Sequence, residues 1–310
     1  MLCVTLDVEV GGDGCGGVGP CVVEPLRRAL AVADRQGAAL TLFPDATGLA
    51  AMGALGDDRD RHAVDDLLRL LGDATRRGHS VQLHVHPQWA GARREACRWV
   101  LPGQTDLGTL PEGTRNQVLD DAILWVSQAT DRKPTAFRAG AWCASPSAPV
   151  FGALVDRGVC LDSTVMPGRW QRDPPFDFRS APVADRRWTF SDDPRIPGPG
   201  PLTELAIATA PLSRLSRWTG RLDRLRTGFR APGCTLSAPR RRPVHGPAAL
   251  DFCAWPVDTL MSIVDSAKEH GPDPIVAIGH TKNFTAAAES ALEAMILLSG
   301  LRCAKLTDAA

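Results

Sequence analysis

The sequence predicts an α/β fold, with a TIM-like βα barrel favoured over an open sheet. Short apolar runs alternate with amphipathic stretches at a spacing that suits βαβ units and a parallel sheet. Roughly seven such units follow one another, too many for a small open sheet. The 310 residues suffice for one large barrel, and neither a sequence repeat nor a flexible Gly/Ser linker divides them. A single domain over 1–310 is therefore expected, with an irregular Pro/Arg-rich segment at 166–246 inside it.

Each element has a local reason. Leu2–Leu6 is an apolar, β-branched run and reads as a strand. Val22–Gln36 reads as a helix: Leu26, Leu30 and Ala33 share a face, and Gly37 stands just past the end. Ala39–Phe43 is the second strand. Ala63–Arg77 is helical, with Leu67, Leu68, Leu70 and Leu71 apolar and Gly78 as the stop. Ser80–His84 is the third strand. Pro111 opens a helix that runs through Val118, Ile123 and Val126. Thr135–Phe137 is a short strand, Ala148–Asp156 a helix closed by Gly158, and Val159–Leu161 a strand. From Met166 to about Gly246 the pattern breaks, with Leu202–Ile207 its clearest strand; long irregular segments in compact domains are functional or poorly ordered. Regularity returns with a helix at Pro256–Lys268, a strand at Ile275–Ile278 and a helix at Ala286–Leu298.

Composition removes several classes of function. Lys and Arg total 35 against 35 Asp and Glu, so the large basic excess of an electrostatic nucleic-acid binder is missing. No apolar stretch reaches the ~20 residues of a membrane span. Cys3, Cys15, Cys21, Cys97, Cys143, Cys160, Cys234, Cys253 and Cys303 are scattered without a C-x-x-C pair and read as reduced thiols. The N-terminus opens on a strand with no basic region before it, so a cytoplasmic chain is expected.

In a βα barrel the chemistry sits where strands end, so the residues that follow each strand matter most. Asp7 and Glu9 follow the first strand, and His84 and His86 end the third. Arg138 follows the fourth, Asp162 and Ser163 the fifth, and His280 the last. In extended backbone, residues two apart project to the same side. His84 and His86 therefore converge, and with a nearby carboxylate they match a three-ligand catalytic zinc site with one open position. The plainer alternative is a hydrogen-bonded or solvent-facing histidine pair. Asp7 and Glu9 share the same spacing: one acid can be a ligand and the other a base, or both can be turn acids before the Gly-rich loop. Arg138 either holds a catalytic carboxylate ionised or forms a structural salt bridge. His280 either protonates a leaving amine, with Asp162 fixing its tautomer, or each of the two is a satisfied core or surface residue. Glu204, on the Leu202–Ile207 strand, is a further candidate for the pocket.

Taken in order, Thr-Leu-Asp-Val-Glu, Gly-His-Ser-Val-Gln-Leu-His-Val-His, Phe-Arg-Ala-Gly-Ala-Trp, Leu-Asp-Ser-Thr and Ile-Gly-His-Thr resemble the motif series of the polysaccharide deacetylases, the NodB-homology proteins of carbohydrate esterase family 4. The series spans Asp7 to His280, nearly the whole chain. The resemblance implies a distorted (β/α)7 barrel, a divalent metal and hydrolysis of N-acetyl groups from amino sugars. It makes Asp7 the base, His84 a ligand, Arg138 the partner of the base and His280 the general acid. The pattern also departs from the family. Val8 stands where a second aspartate is usual, and Glu9 follows it. An Asp-Val-acid version is similar to the branch that holds the lipid-linked formamido-arabinose deformylase, which makes Glu9 the candidate third ligand. The second histidine usually stands four places on, where this chain has Gln88; His86 stands at two. Trp142 stands near the usual Pro-Tyr of the third motif. Together these departures suggest a divergent subfamily acting on a smaller or unusual substrate.

The expected cofactor is a divalent ion held by Glu9, His84 and His86, with Zn2+ the default and Ni2+, Co2+ or Mn2+ as alternatives. The expected substrate is a small amino sugar or sugar-containing molecule, with Trp89 and Trp142 either stacking on the ring or packing in the core. Between Arg214 and Arg242 lie nine arginines and one acid, Asp223: a solvated face and loop, or a lid that binds a phosphate on the substrate. Three rival readings remain. Gly14-Cys-Gly-Gly-Val-Gly19 formally matches G-x-G-x-x-G, the mark of a nucleotide-dependent oxidoreductase. Asp7 and Glu9 would repel a pyrophosphate there, and the glycines begin several residues past the strand, so a flexible loop is favoured. A non-catalytic sugar-binding barrel is the second, and a larger-superfamily amidohydrolase, which carries His-x-His on its first strand, is the third.

Overall fold

In the computed structural model, residues 1–12, 14, 16–95, 98–102, 105–183, 185–212, 244–270 and 274–309 are described. The first strand, β1 (Leu2–Val8), is buried along its whole length, as a parallel strand covered on both faces should be. Helix α1 (Glu24–Arg35) buries Leu26, Leu30 and Ala33, the face read from the sequence. It leads to β2 (Leu40–Pro44), then to α2 (Ala46–Leu55) and α3 (Asp58–Arg76). The third strand comes in two pieces, β3 (Ser80–Val81) and β4 (Leu83–Val85). Helix α4 (Glu112–Thr130), β5 (Ala136–Ala139), α5 (Ala148–Val155) and β6 (Leu161–Asp162) follow. After β7 (Arg187–Phe190) and β8 (Leu202–Leu205), the chain ends with α6 (Val257–Glu269), β9 (Ile275–His280) and α7 (Ala286–Leu298).

The strands form two sheets, in the orders β9-β1-β2-β3 and β7-β8-β6-β5-β4. All pairings in them are parallel except β7 with β8. Gln82 explains the split third strand. Its backbone N–H donates to Leu42 O (2.8 Å), on the first sheet. Its side-chain Oε1 accepts from Thr135 N (2.9 Å) and Ala136 N (2.8 Å), at the start of β5 in the second. The chain therefore changes sheets at this residue. Single parallel bridges, Asp45 with His84 and Ile207 with Val276, join the sheets at their other contacts.

Helix α2 has no counterpart among the expected elements. Its run Ala46–Leu55 is apolar nearly all round and holds Gly48 and Gly53, so no 3.6-residue stripe marks it. What starts it is a cap: Asp45 Oδ1 accepts from Gly48 N at 3.0 Å. Within the segment expected to be irregular, Trp170–Arg172 pairs with Pro175–Asp177, β7 with β8, and Thr209–Ala210 with Ala248–Ala249, all antiparallel. The arginines from Arg214 to Arg242 lie outside the described residues, as do parts of the Gly14–Gly19 segment. One expectation about the cysteines is corrected. Cys3, Cys143, Cys160, Cys253 and Cys303 are free, but Cys21 is disulfide-bonded. Among the described residues, no helix is long and apolar enough to cross a membrane.

Candidate metal centre and active site

Parallel pairing sets the site. Register places Asp7 of β1 opposite His280 of β9, and His84 of β4 opposite Arg138 of β5. Glu9 lies one residue past β1, and His86 one past β4. Glu9, His84 and His86 are all buried, and one ligand atom from each lies within 4.8 Å of the others. Glu9 Oε2 is 2.7 Å from His86 Nε2 and 3.7 Å from His84 Nε2, and the two Nε2 atoms are 3.1 Å apart. Three donor atoms of the type that binds zinc thus face one point.

The supporting contacts suit an ion there. His84 Nδ1 lies 2.8 Å from the Arg138 carbonyl, which only an N–H can satisfy, so in the neutral ring Nε2 carries the lone pair. Gln88 Nε2 lies 3.0 Å from His86 Nδ1, while Gln88 Oε1 is buried without a hydrogen-bond partner. Turning that amide over satisfies Oε1 with an Nδ1–H and frees His86 Nε2 as well. The donor set and its neighbours therefore fit a divalent cation.

Beside this trio, Asp7 Oδ1 accepts from Arg138 Nη1 at 2.7 Å. Arg138 is fully buried, and every arm of its guanidinium is used. Nη1 also donates to Thr5 Oγ1 (2.9 Å), Nε to Ser163 O (2.8 Å) and Nη2 to Ser163 Oγ (3.0 Å). The other oxygen of Asp7, Oδ2, is 3.6 Å from His280 Nε2. Burial pushes the His280 pKa down, against the raising influence of Asp7 and Glu9, so its ring is held neutral. At Glu9, burial raises the pKa, but the Lys282 ammonium and the two imidazoles outweigh it and hold the carboxyl well below its usual range. For His84, burial lowers the pKa, and the opposing pull of Asp7 and Glu9 leaves it raised.

A cavity of about 540 Å³ opens over these groups, walled by Trp142, Phe176, Gln171 and Met166. Trp142 faces the His280 ring edge-on at 6.2 Å. It sits in a strained turn: Ala141 and Trp142 have φ of 52° and 65°, a region that side-chain-bearing residues rarely occupy.

Three residues predicted for the site lie elsewhere. Trp89 is buried edge-to-face against Trp99 at 5.2 Å and lines a separate cavity with Thr47 and Val118, because the turn Pro87–Trp89 carries it away from the strand end. Asp162 and Glu204 are fully buried and sit opposite each other in register across β6 and β8. Asp162 Oδ1 accepts from Thr164 Oγ1 (2.7 Å) and Glu204 Oε1 from Val165 N (3.0 Å). Burial and the neighbouring Asp162 carboxylate raise the Glu204 pKa well above its ordinary value. Asp162 is not brought to His280, whose Nδ1 is buried without a hydrogen-bond partner. The two stand on different sheets.

Among the cavity residues that sequence reasoning missed, Lys282 and Asp251 bear most on its chemistry. Lys282 is buried, and its Nζ donates to Glu9 Oε1. Its signal was available, since it follows His280 at the same two-residue spacing that pairs His84 with His86. Asp251 reaches the cavity through a single bridge to Ile278, which nothing in the sequence marked.

Comparison with solved structures finds consistently polysaccharide and peptidoglycan deacetylases of carbohydrate esterase family 4. A polysaccharide deacetylase from Mycobacterium smegmatis aligns over 99% of this chain and 87% of its own, at 13% identity and a TM-score of 0.54. A pseudoenzyme of that family from Bacillus anthracis aligns over 100% and 64%, at 12% identity and 0.48. The Streptomyces lividans family 4 esterase, solved with acetate, aligns over 98% and 90%, at 10% and 0.44. The first of these shows that the chain has the polysaccharide-deacetylase fold, as the motif series implied. No protein-family model matches the chain, and no curated protein does.

Proposed function

We propose that the protein is a metal-dependent hydrolase that removes an N-acetyl or similar short acyl group from an amino sugar. One observation carries this reading: Glu9, His84 and His86 converge within 4.8 Å in the wall of a cavity that Asp7 and His280 also line, with Arg138 buried behind Asp7. We read the two sheets as halves of a distorted (β/α)7 barrel, with the cavity at the C-terminal ends of its strands.

Glu9, His84 and His86 would hold the ion, with zinc the default for this donor set. When bound, a divalent ion supplies Lewis acidity toward the amide carbonyl and the attacking water. The chain's own residues supply the proton handling. Asp7, oriented by Arg138, takes the proton from the water. His280, neutral at rest and 3.6 Å from Asp7 Oδ2, receives that proton at Nε2 and passes it to the departing nitrogen. Amide and water thus become carboxylic acid and free amine, with one proton relayed. Trp142 and Phe176 offer an apolar wall for a sugar ring and Gln171 a polar one. The arginines of 214–242 remain the reason to test a phosphate-linked substrate.

The experiment is acyl release from N-acylated amino sugars, free and phosphate-linked, by wild type and Asp7→Asn, with metal content measured in both. Asp7→Asn should lower turnover by about 10²–10⁴-fold, the usual contribution of a general base, at unchanged metal content. Full turnover in this variant would remove Asp7 from its role. A wild type that carries metal yet hydrolyses none of these amides would favour the sugar-binding alternative.

A further inference from the structure

The two oxygens of Glu9 face different partners. Oε2 lies 2.7 Å from His86 Nε2, on the side of the imidazoles, whereas Oε1 is taken by the ammonium of Lys282. The backbone of the same residue is gripped too. Glu9 N donates to Thr281 Oγ1 at 3.0 Å, and Thr281 Oγ1 donates to Glu9 O at 3.2 Å. Thr281 and Lys282 are consecutive, both buried, and follow directly on β9. One short turn therefore fixes Glu9 at main chain and side chain together.

A buried ammonium is costly unless paired, so its placement here needs a reason. Glutamate supplies one. Its side chain has one more rotatable bond than that of aspartate, and an unclamped carboxylate can present both oxygens to a cation. We propose that Lys282 is a positioning residue: by occupying Oε1 it limits Glu9 to a single oxygen, Oε2, on the side of His84 and His86. This rests on the reading of Glu9, His84 and His86 as ligands. Two effects of opposite sign compete. The positive charge of Lys282 weakens Glu9 as a donor, while orientation by a residue behind the ligand strengthens binding, typically by about 10–100-fold. The geometry, with Oε1 and Oε2 already divided between partners, assigns the larger effect to orientation.

The test uses the whole chain with Lys282→Met, Lys282→Gln and Lys282→Arg. Zn2+ affinity is read by competition with a chromophoric chelator, and ligand number by the visible spectrum of the Co2+-loaded protein. Lys282→Met should bind Zn2+ about 10–100-fold more weakly, with its Co2+ bands weakened as the second oxygen joins the ion. Lys282→Arg should restore both readings, and Lys282→Gln, which keeps a donor without charge, should fall between. Equal or tighter Zn2+ binding by Lys282→Met or Lys282→Gln would overturn the proposal and make Lys282 a cation that opposes the metal. Should Lys282→Met fail to fold, Lys282→Gln and Lys282→Arg decide it in the same way. Failure of the ligand reading is separately visible, because the wild type itself would then take up no Zn2+.

Discussion

At the scale of single residues, burial decides which charges the fold tolerates. Arg138 is acceptable in a fully buried place because Asp7, Thr5 and Ser163 meet every arm of its guanidinium. His79 shows the same rule away from the site. Its Nδ1 accepts from Leu40 N (3.1 Å), so the proton sits on Nε2, which faces Asp34 Oδ1 at 3.1 Å. A second proton would destroy the first bond, and burial pushes the pKa down despite Asp34. The unfolded chain takes up that proton near pH 6.5 and the folded chain only at lower pH. Between the two, the unfolded state binds more protons, so stability falls as pH falls below about 6.5. Urea midpoints of wild type and His79→Gln from pH 8 to pH 5 check this: the variant should lose part of the acid-side slope, and equal slopes would refute it. The residues at strand ends were legible one by one, because Asp7, Glu9, His84, His86, Arg138 and His280 each follow an apolar run. Of its two readings, Trp89 takes the core-packing one, and spacing along a strand could not choose because it says nothing of the turn after it.

At the scale of elements, the turn after β5 is built around its neighbour. A Cβ on Gly140 would clash with the Val85 carbonyl oxygen and come within 2.7 Å of the His86 ring, so only glycine lets the turn lie this close to the end of β4. Gly140→Ala should displace the end of β4 at Val85 and with it His86. The expected result is weaker metal binding, by at least about 10-fold on the scale of disturbed ligand support, while far-UV circular dichroism is kept. Unchanged Zn2+ affinity in that variant would show that His86 is not held by this contact. Elements with an amphipathic stripe, such as α1 and α3, were readable from sequence. Helix α2 was not, because its start depends on a cap at Asp45 and its faces are alike.

At the scale of the molecule, the candidate ligands come from both sheets: Glu9 follows β1 of one, and His84 and His86 belong to β4 and its exit in the other. An ion held by all three would tie the sheets together and so stabilise the whole fold. Added Zn2+ should raise the thermal midpoint of the apo protein, by about 2.7 kcal/mol of stability at a hundredfold excess over Kd, and Glu9→Gln should abolish most of the shift. A wild-type midpoint indifferent to Zn2+ and to chelator would contradict this. The sequence by itself determined the alternation of strands and helices, and with it the strand-end address of the acids and imidazoles, because period and apolar content are local properties. Only the tertiary structure decided that Lys282 meets Glu9, 273 residues away, and that Asp162 faces Glu204 rather than His280. Those contacts depend on which strands lie side by side, and local periodicity does not encode strand order.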